Sequence, residues 1–278
     1  MLHTDRTLTG DLQDKLQKLE DIILDLGSVA IAFSGGVDSA LLLFVAHELL
    51  GDKAVAVTAK DAAMPGRELA EAKEFCSGHN IRHIVCDVDP LGIAEYRNNS
   101  VDRCYHCKHM VFSTIRKAAA ENGLAYVAEG SNTDDAGDYR PGLRAIAELG
   151  IKSPLKDAGL CKQDIRTLSE AFMLPVWNKP SYACLASRFV YGEEITVEKL
   201  RMVDEAEQFL IDKGFRNERV RMHGDLARIE VQPDDIPKLV SDGIREEVFD
   251  RFRQIGFLYV TIDLKGYRTG SMNETLKL

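Results

Sequence analysis

The sequence predicts an α/β protein, a doubly wound parallel sheet followed by a smaller C-terminal α+β domain. Three observations predict it: short apolar runs alternate with helical patterns through the first half, a glycine-rich loop follows the first run, and the order of elements changes after a proline-containing segment near residue 180. The runs are "VAIAF" (29–33), "AVAVT" (54–58), "RHIVC" (82–86) and "AYVAEG" (125–130). Short, mostly apolar runs separated by helices are the signature of βαβ units and a parallel sheet. The intervening helices are predicted at about 39–50, 65–77 and 106–122, with Pro65 suited to a first turn and Asn122-Gly123 closing the third. A further helix is predicted at 162–172.

"LPVWNKPSYACLASRFVYGEEIT" (174–196) has no sustained period, and the domain boundary is placed in it, giving domains 1–180 and 181–278. After it come an amphipathic helix at 197–213 (apolar at Leu200, Val203, Ala206, Phe209 and Leu210), strands "RVRMH" and "ARIEV", a helical stretch to about 255 and the strand "FLYVTIDL". That order suggests a small α+β layer.

Composition narrows the function classes. With 35 Lys+Arg against 44 Asp+Glu in 278 residues the net charge is −9, which argues against a general binder of nucleic acid backbones. The densest apolar run, "ALLLFVAHELL" (40–50), is interrupted by His47 and Glu48 and falls short of the roughly 18–20 residues that span a bilayer. The six cysteines are scattered and no secretory apolar region follows "MLHTDRTLTGDLQDKL", so a reducing cytoplasmic location is expected.

The first strand runs into Ser34-Gly35-Gly36-Val37-Asp38-Ser39 and then into a helix. Two glycines let backbone N–H groups approach an anion, two serines add hydroxyls, and the helix N-terminus adds a positive dipole end. The loop has neither the lysine of a Walker A motif nor the G-x-G-x-x-G of a dinucleotide fold. Asp38 is a candidate for holding Mg²⁺ or orienting the loop. "EGSNTDDAGDYRPG" (129–142) follows the fourth strand, where open α/β sheets bind ligands, and supplies Gly130, Asn132 and Asp135 to the same candidate site.

S-G-G-x-D-S and G-x-N-x-x-D resemble the PP-loop motifs of the ATP pyrophosphatase superfamily, with its adenine nucleotide alpha hydrolase-like fold. The resemblance implies that Ser34, Gly35, Gly36, Asp38, Ser39, Gly130, Asn132 and Asp135 bind ATP and Mg²⁺, and that ATP adenylates a substrate and releases pyrophosphate. "DRCYHCK", "ACLASRFVYGEEIT", "RVRMHGDLARIEV" and "YVTIDLKGYRTGSMNE" extend the likeness over about residues 16–274, to the LarE family of ATP-dependent sulfur transferases of nickel pincer nucleotide biosynthesis. The substrate this implies is a pyridinium-3,5-dicarboxylic acid mononucleotide, converted to a thiocarboxylate. A homo-oligomer, trimer or hexamer, is implied by the family alone.

Cysteine is the natural nucleophile when sulfur is delivered, because a thiolate is strong and soft. Cys184, with Arg188 close by to favour thiolate and to pair with substrate, is the candidate. Cys104 and Cys107 form a C-x-x-C that by itself is compatible with zinc, with a redox pair or with part of a cluster. In one branch of the family a single loop cysteine gives up its sulfur and becomes dehydroalanine; in the other, three cysteines hold a [4Fe-4S] cluster. The family implies Cys104, Cys107 and Cys184 as that set, and the cluster is the expectation adopted. A tRNA thiolase is the rival reading, opposed by the charge balance. Arg219 and Arg221 alternate along one strand face and are expected to meet the mononucleotide with Arg188. Glu194 and Glu207 are possible acids with nothing in their spacing to decide it.

Overall fold

The computed structural model of the protein describes residues 8–137, 141–180, 183–268 and 270–275. The elements follow in the order α1 (Gly10–Leu26), β1 (Val29–Ala32), α2 (Val37–Leu50), β2 (Ala54–Lys60), α3 (Gly66–Gly78), β3 (His83–Asp87), α4 (Ala94–Arg97), α5 (Arg103–Glu121), β4 (Tyr126–Ala128), α6 (Pro141–Glu148), α7 (Pro154–Asp157) and α8 (Lys162–Ala171). Then come α9 (Val197–Asp212), β5 (Arg219–His223), β6 (Leu226–Glu230), α10 (Ile236–Leu239), α11 (Ile244–Ile255) and β7 (Tyr259–Ile262). No helix among the described residues is long and apolar enough to cross a membrane.

The chain divides into two compact units. The first (1–61, 66–90 and 104–182) contains a four-stranded sheet in the order β3-β2-β1-β4, parallel throughout. Its inner strand β1 and most of β2 are buried on both faces because alternate residues enter different cores. Val29 and Ile31 pack with Leu16, Leu19, Leu41 and Leu42, whereas Ala30 packs with Val55, Val57, Phe112, Ile115 and Val127. Helix α2 carries apolar residues on nearly all sides, as a helix enclosed by its neighbours must, and packs against β1, β2, α1 and α8. Helix α1, absent from the sequence expectation, buries Leu12, Leu16, Leu19 and Ile23 at a helical spacing.

Strand order fixes where a ligand can go. From β1 the chain moves outward to β2 and β3, then returns to place β4 on the other side of β1. The crevice beyond the C-terminal ends of β1 and β4 is therefore the topological switch point, the usual ligand site of open α/β sheets. Both glycine-containing loops singled out in the sequence emerge there.

The second unit (62–65, 91–103 and 183–278) has the three-stranded sheet β5-β6-β7, antiparallel between β5 and β6 and parallel between β6 and β7. Helix α9 packs on β5 and α11 through Leu200, Val203, Ala206 and Leu210. Its start is set by Thr196, whose hydroxyl accepts the Lys199 N–H at 3.2 Å.

Candidate active site

The phosphate loop is built from its own short side chains. The Ser34 N–H donates to Ser39 Oγ at 3.4 Å, the two serine hydroxyls lie 3.2 Å apart, and Ser39 Oγ donates to the Gly36 carbonyl at 3.1 Å. Gly35 has φ +74°, which only glycine adopts without strain. Its carbonyl accepts from Lys179 Nζ at 3.1 Å. Lys179 also pairs with Glu68 at 2.9 Å and Glu71 at 2.6 Å, so this lysine ties the loop to the start of α3.

The loop after β4 closes against the first. A methyl group on Gly130 would stand 2.9 Å from the Ser39 nitrogen and 3.2 Å from the Asp38 carbonyl carbon, closer than side chains tolerate. Asn132 Nδ2 donates to Asp38 Oδ1 at 3.2 Å. Asn132 is itself fixed: its N–H donates to Asp135 Oδ2 at 3.0 Å and its Oδ1 accepts the Asp134 N–H at 2.9 Å. Glu129 buttresses the turn by accepting from Ser131 and Ser153. Ser34, Gly35, Gly36, Asp38, Ser39, Gly130, Asn132 and Asp135 are thus gathered at the switch point, with the α2 N-terminus directed into it.

The sequence did not single out two cations of this site. Lys162 Nζ lies 2.5 Å from Asp38 Oδ2, opposite Asn132 on the same carboxylate. Its only sequence signal is a lysine at the first position of a helix, where the dipole disfavours it. Lys179 had no local signal, because its partners lie more than 100 positions away.

In the first unit, Cys104 and Cys107 sit one turn apart at the start of α5, both half-buried. The predicted helix began at residue 106, whereas the structure begins it at Arg103, so the C-x-x-C is helical and its two side chains share a face. In the second unit Cys184 is exposed and precedes a short 3₁₀ turn, Leu185–Arg188. No cysteine is in a disulfide. Among the described residues, no group of three or more His, Cys, Asp or Glu side chains is placed to hold a metal ion.

Arg188 does a different job from the open substrate cation expected of it. Its side chain is wholly buried and forms two bonds of 2.8 Å to the equally buried Glu207. Burial alone would lower the arginine, but the charge and hydrogen bonds of Glu207 outweigh it and hold it above its ordinary value; Glu207 is correspondingly held below the usual carboxylate range. The remaining nitrogen, Nη1, donates to the carbonyls of Ala183 (2.7 Å) and Cys184 (3.2 Å) and to Ser187 Oγ (2.9 Å). Arg188 therefore acts on Cys184 through the backbone that carries it.

Arg219 and Arg221 share a face of β5, as alternation predicted, but both are buried. Arg221 gives two bonds to Glu230 Oε2, at 3.1 and 2.8 Å, and others to the Ser187 carbonyl and Ser271 Oγ. The Arg219 guanidinium lies 5.0 Å from the centre of the Tyr267 ring, and burial lowers its pKa.

A parallel sheet with S-G-G-V-D-S after its first strand and a second loop closed on Asp38 defines an ATP-using enzyme of the PP-loop class. No protein-family model matches the chain. It is 37% identical over 268 residues, 95% of this chain and 96% of the relative, to pyridinium-3,5-bisthiocarboxylic acid mononucleotide synthase of Lactiplantibacillus plantarum. It is 42% identical over 265 residues, 95% of this chain and 99% of the relative, to an uncharacterized protein of Synechocystis sp.. The tRNA-specific 2-thiouridylase of Rickettsia felis is 27% identical over 55% of this chain and 52% of its own length. The chain belongs to the family of pyridinium-3,5-bisthiocarboxylic acid mononucleotide synthases, the LarE family, and is an ATP-dependent sulfur transferase.

Proposed function

We propose that this chain adenylates a carboxylate of a pyridinium-3,5-dicarboxylic acid mononucleotide and replaces one carboxylate oxygen with sulfur, for a nickel pincer nucleotide. A carboxylate oxygen attacks the α-phosphorus of ATP, the bond to the bridging oxygen breaks and pyrophosphate leaves. Sulfide then adds to the acyl carbon, and the C–O bond to AMP breaks with the electron pair leaving on AMP. Ser34, Gly36 and Ser39 would receive the departing pyrophosphate at the α2 N-terminus, and Asp38, aligned by Asn132, would share Mg²⁺ with phosphate oxygens. Arg188 would steady the Cys184 loop, and Arg219 and Arg221 would provide positive potential for the mononucleotide.

The observation that carries this reading is the closure of the 129–137 loop on the phosphate loop at the switch point, in a chain similar along nearly its whole length to a thiocarboxylate synthase.

For the sulfur, we propose a [4Fe-4S] cluster on Cys104, Cys107 and Cys184. What supports it is the chemistry of the donors: three cysteines, none in a disulfide, two of them a helical turn apart. When bound, a cluster held by three thiolates leaves one iron open to carry sulfide. The exposure of Cys184 favours a second reading, in which this residue gives up its own sulfur. Anaerobic purification with iron and sulfide analysis, and mass spectrometry of Cys184 after turnover, separate the two. Bound iron and sulfide with an unchanged Cys184 support the cluster; a loss of about 34 Da, hydrogen sulfide leaving as dehydroalanine forms, overturns it.

A further inference from the structure

The phosphate loop contains no cation, yet the most highly charged part of ATP would lie on it, beside Asp38, Asp134 and Asp135. We infer that Lys162 is the cation this loop lacks. It pairs with Asp38 when no nucleotide is bound and transfers to the pyrophosphate moiety when Mg²⁺ takes its place on Asp38. The inference rests on the ATP reading of the same site and goes beyond it in naming the residue and the exchange.

Three observations place Lys162 for this role. The first is its contact, 2.5 Å to Asp38 Oδ2, on the oxygen that Asn132 leaves open. The second is the rigidity of its base. The Lys162 N–H donates to Asp134 Oδ2 at 2.9 Å, the preceding Leu160 carbonyl accepts from both the N–H and the hydroxyl of Thr133, and Asp164 is held by Lys15 at 3.0 Å. The start of α8 is thereby tied to the 129–137 loop, and the four-carbon stem of the lysine is the flexible part that reaches Asp38. The third is that a cation in the first turn of a ten-residue helix opposes the helix dipole, so helix stability does not account for it. Lys179, a second cation touching the loop among the described residues, already faces two carboxylates and the Gly35 carbonyl, so its charge is matched twice over.

An exchange of this kind has opposite signs for its two halves, and that makes it testable. Binding of inorganic pyrophosphate, and of a non-hydrolysable ATP analogue with Mg²⁺, is measured by calorimetry on the full chain. Binding of Mn²⁺ without nucleotide is followed by its electron paramagnetic resonance signal. For Lys162→Met the expectation is pyrophosphate binding weaker by about ten- to a hundredfold, the worth of a hydrogen bond to a charged group. Mn²⁺ binding should become tighter, because Asp38 has lost its competitor, and Lys162→Arg should recover most of the pyrophosphate affinity. A merely structural lysine would weaken both ligands together.

If the wild-type protein binds neither pyrophosphate nor the analogue, the ATP reading of this loop falls and the inference with it. If the wild type binds and Lys162→Met binds pyrophosphate within twofold of it, or loses Mn²⁺ affinity as well, the ATP reading stands and the inference is overturned. Unaltered urea midpoints and circular dichroism establish that the variant is folded in either case.

Discussion

Replacing Glu207 by alanine should be among the most damaging single changes in the second unit. Glu207 and Arg188 are both fully buried, and removing the carboxylate abolishes two bonds of 2.8 Å from Arg188 and one of 2.9 Å from the Val220 N–H. It also leaves a guanidinium without its countercharge in the interior, for which the cost is about 3–5 kcal/mol. Urea unfolding of this unit should shift accordingly. The double variant Arg188→Met with Glu207→Leu removes both charges and should recover most of the loss, because well-packed apolar side chains replace a buried pair at little cost. The carbonyls of Ala183 and Cys184 then lose their donor but lie in an exposed segment where water replaces it. Stability should therefore return while the Cys184 loop loosens, seen as faster alkylation of Cys184. A loss below about 1 kcal/mol for Glu207→Ala, the value of an exposed ion pair, would refute the argument.

Gly130→Ala should cut pyrophosphate release by about a hundredfold with a smaller change in stability, because the new methyl displaces backbone at Asp38 and Ser39; steady-state kinetics beside urea melts read both. Lowering the pH from about 7.5 to 5.5 should reduce the urea midpoint: burial, then the charge of Lys73, holds His83 below its ordinary 6.5, so the unfolded chain takes up protons that the folded chain resists. His83→Gln should shrink that drop. Under native conditions at mildly alkaline pH, iodoacetamide should modify exposed Cys184 well before Cys76, whose buried thiol is pushed up to about 12.

The first unit was largely legible in the sequence because its signals are local. Runs such as "VAIAF" are buried on both faces, and the phosphate loop forms within six consecutive residues, so strand, loop and helix could be read together. The second loop was legible for the same reason, although its grip on the first depends on Gly130 having no side chain. Residues defined by distant partners were harder to read. Lys179 meets Glu68 and Glu71, and Lys162 meets Asp38, over separations of more than 100 positions that no periodicity encodes. Arg188 and Glu207 were each noticed without the pairing that turns a candidate substrate cation into an internal brace. Helix α1 escaped although Leu12, Leu16, Leu19 and Ile23 carry its spacing, because polar residues between them dilute the apolar pattern. The start of α5 escaped because "RCYHCK" contains no apolar face to mark a helix.

Adenylation of the substrate is tested most directly by which bond of ATP is broken. With ATP labelled at the α-phosphate, a pyridinium-3,5-dicarboxylic acid mononucleotide and a sulfide source, the protein should yield labelled AMP and one pyrophosphate for each thiocarboxylate formed, and Asp38→Asn should suppress all three together. Labelled ADP with inorganic phosphate, or thiocarboxylate formed without AMP, would contradict it.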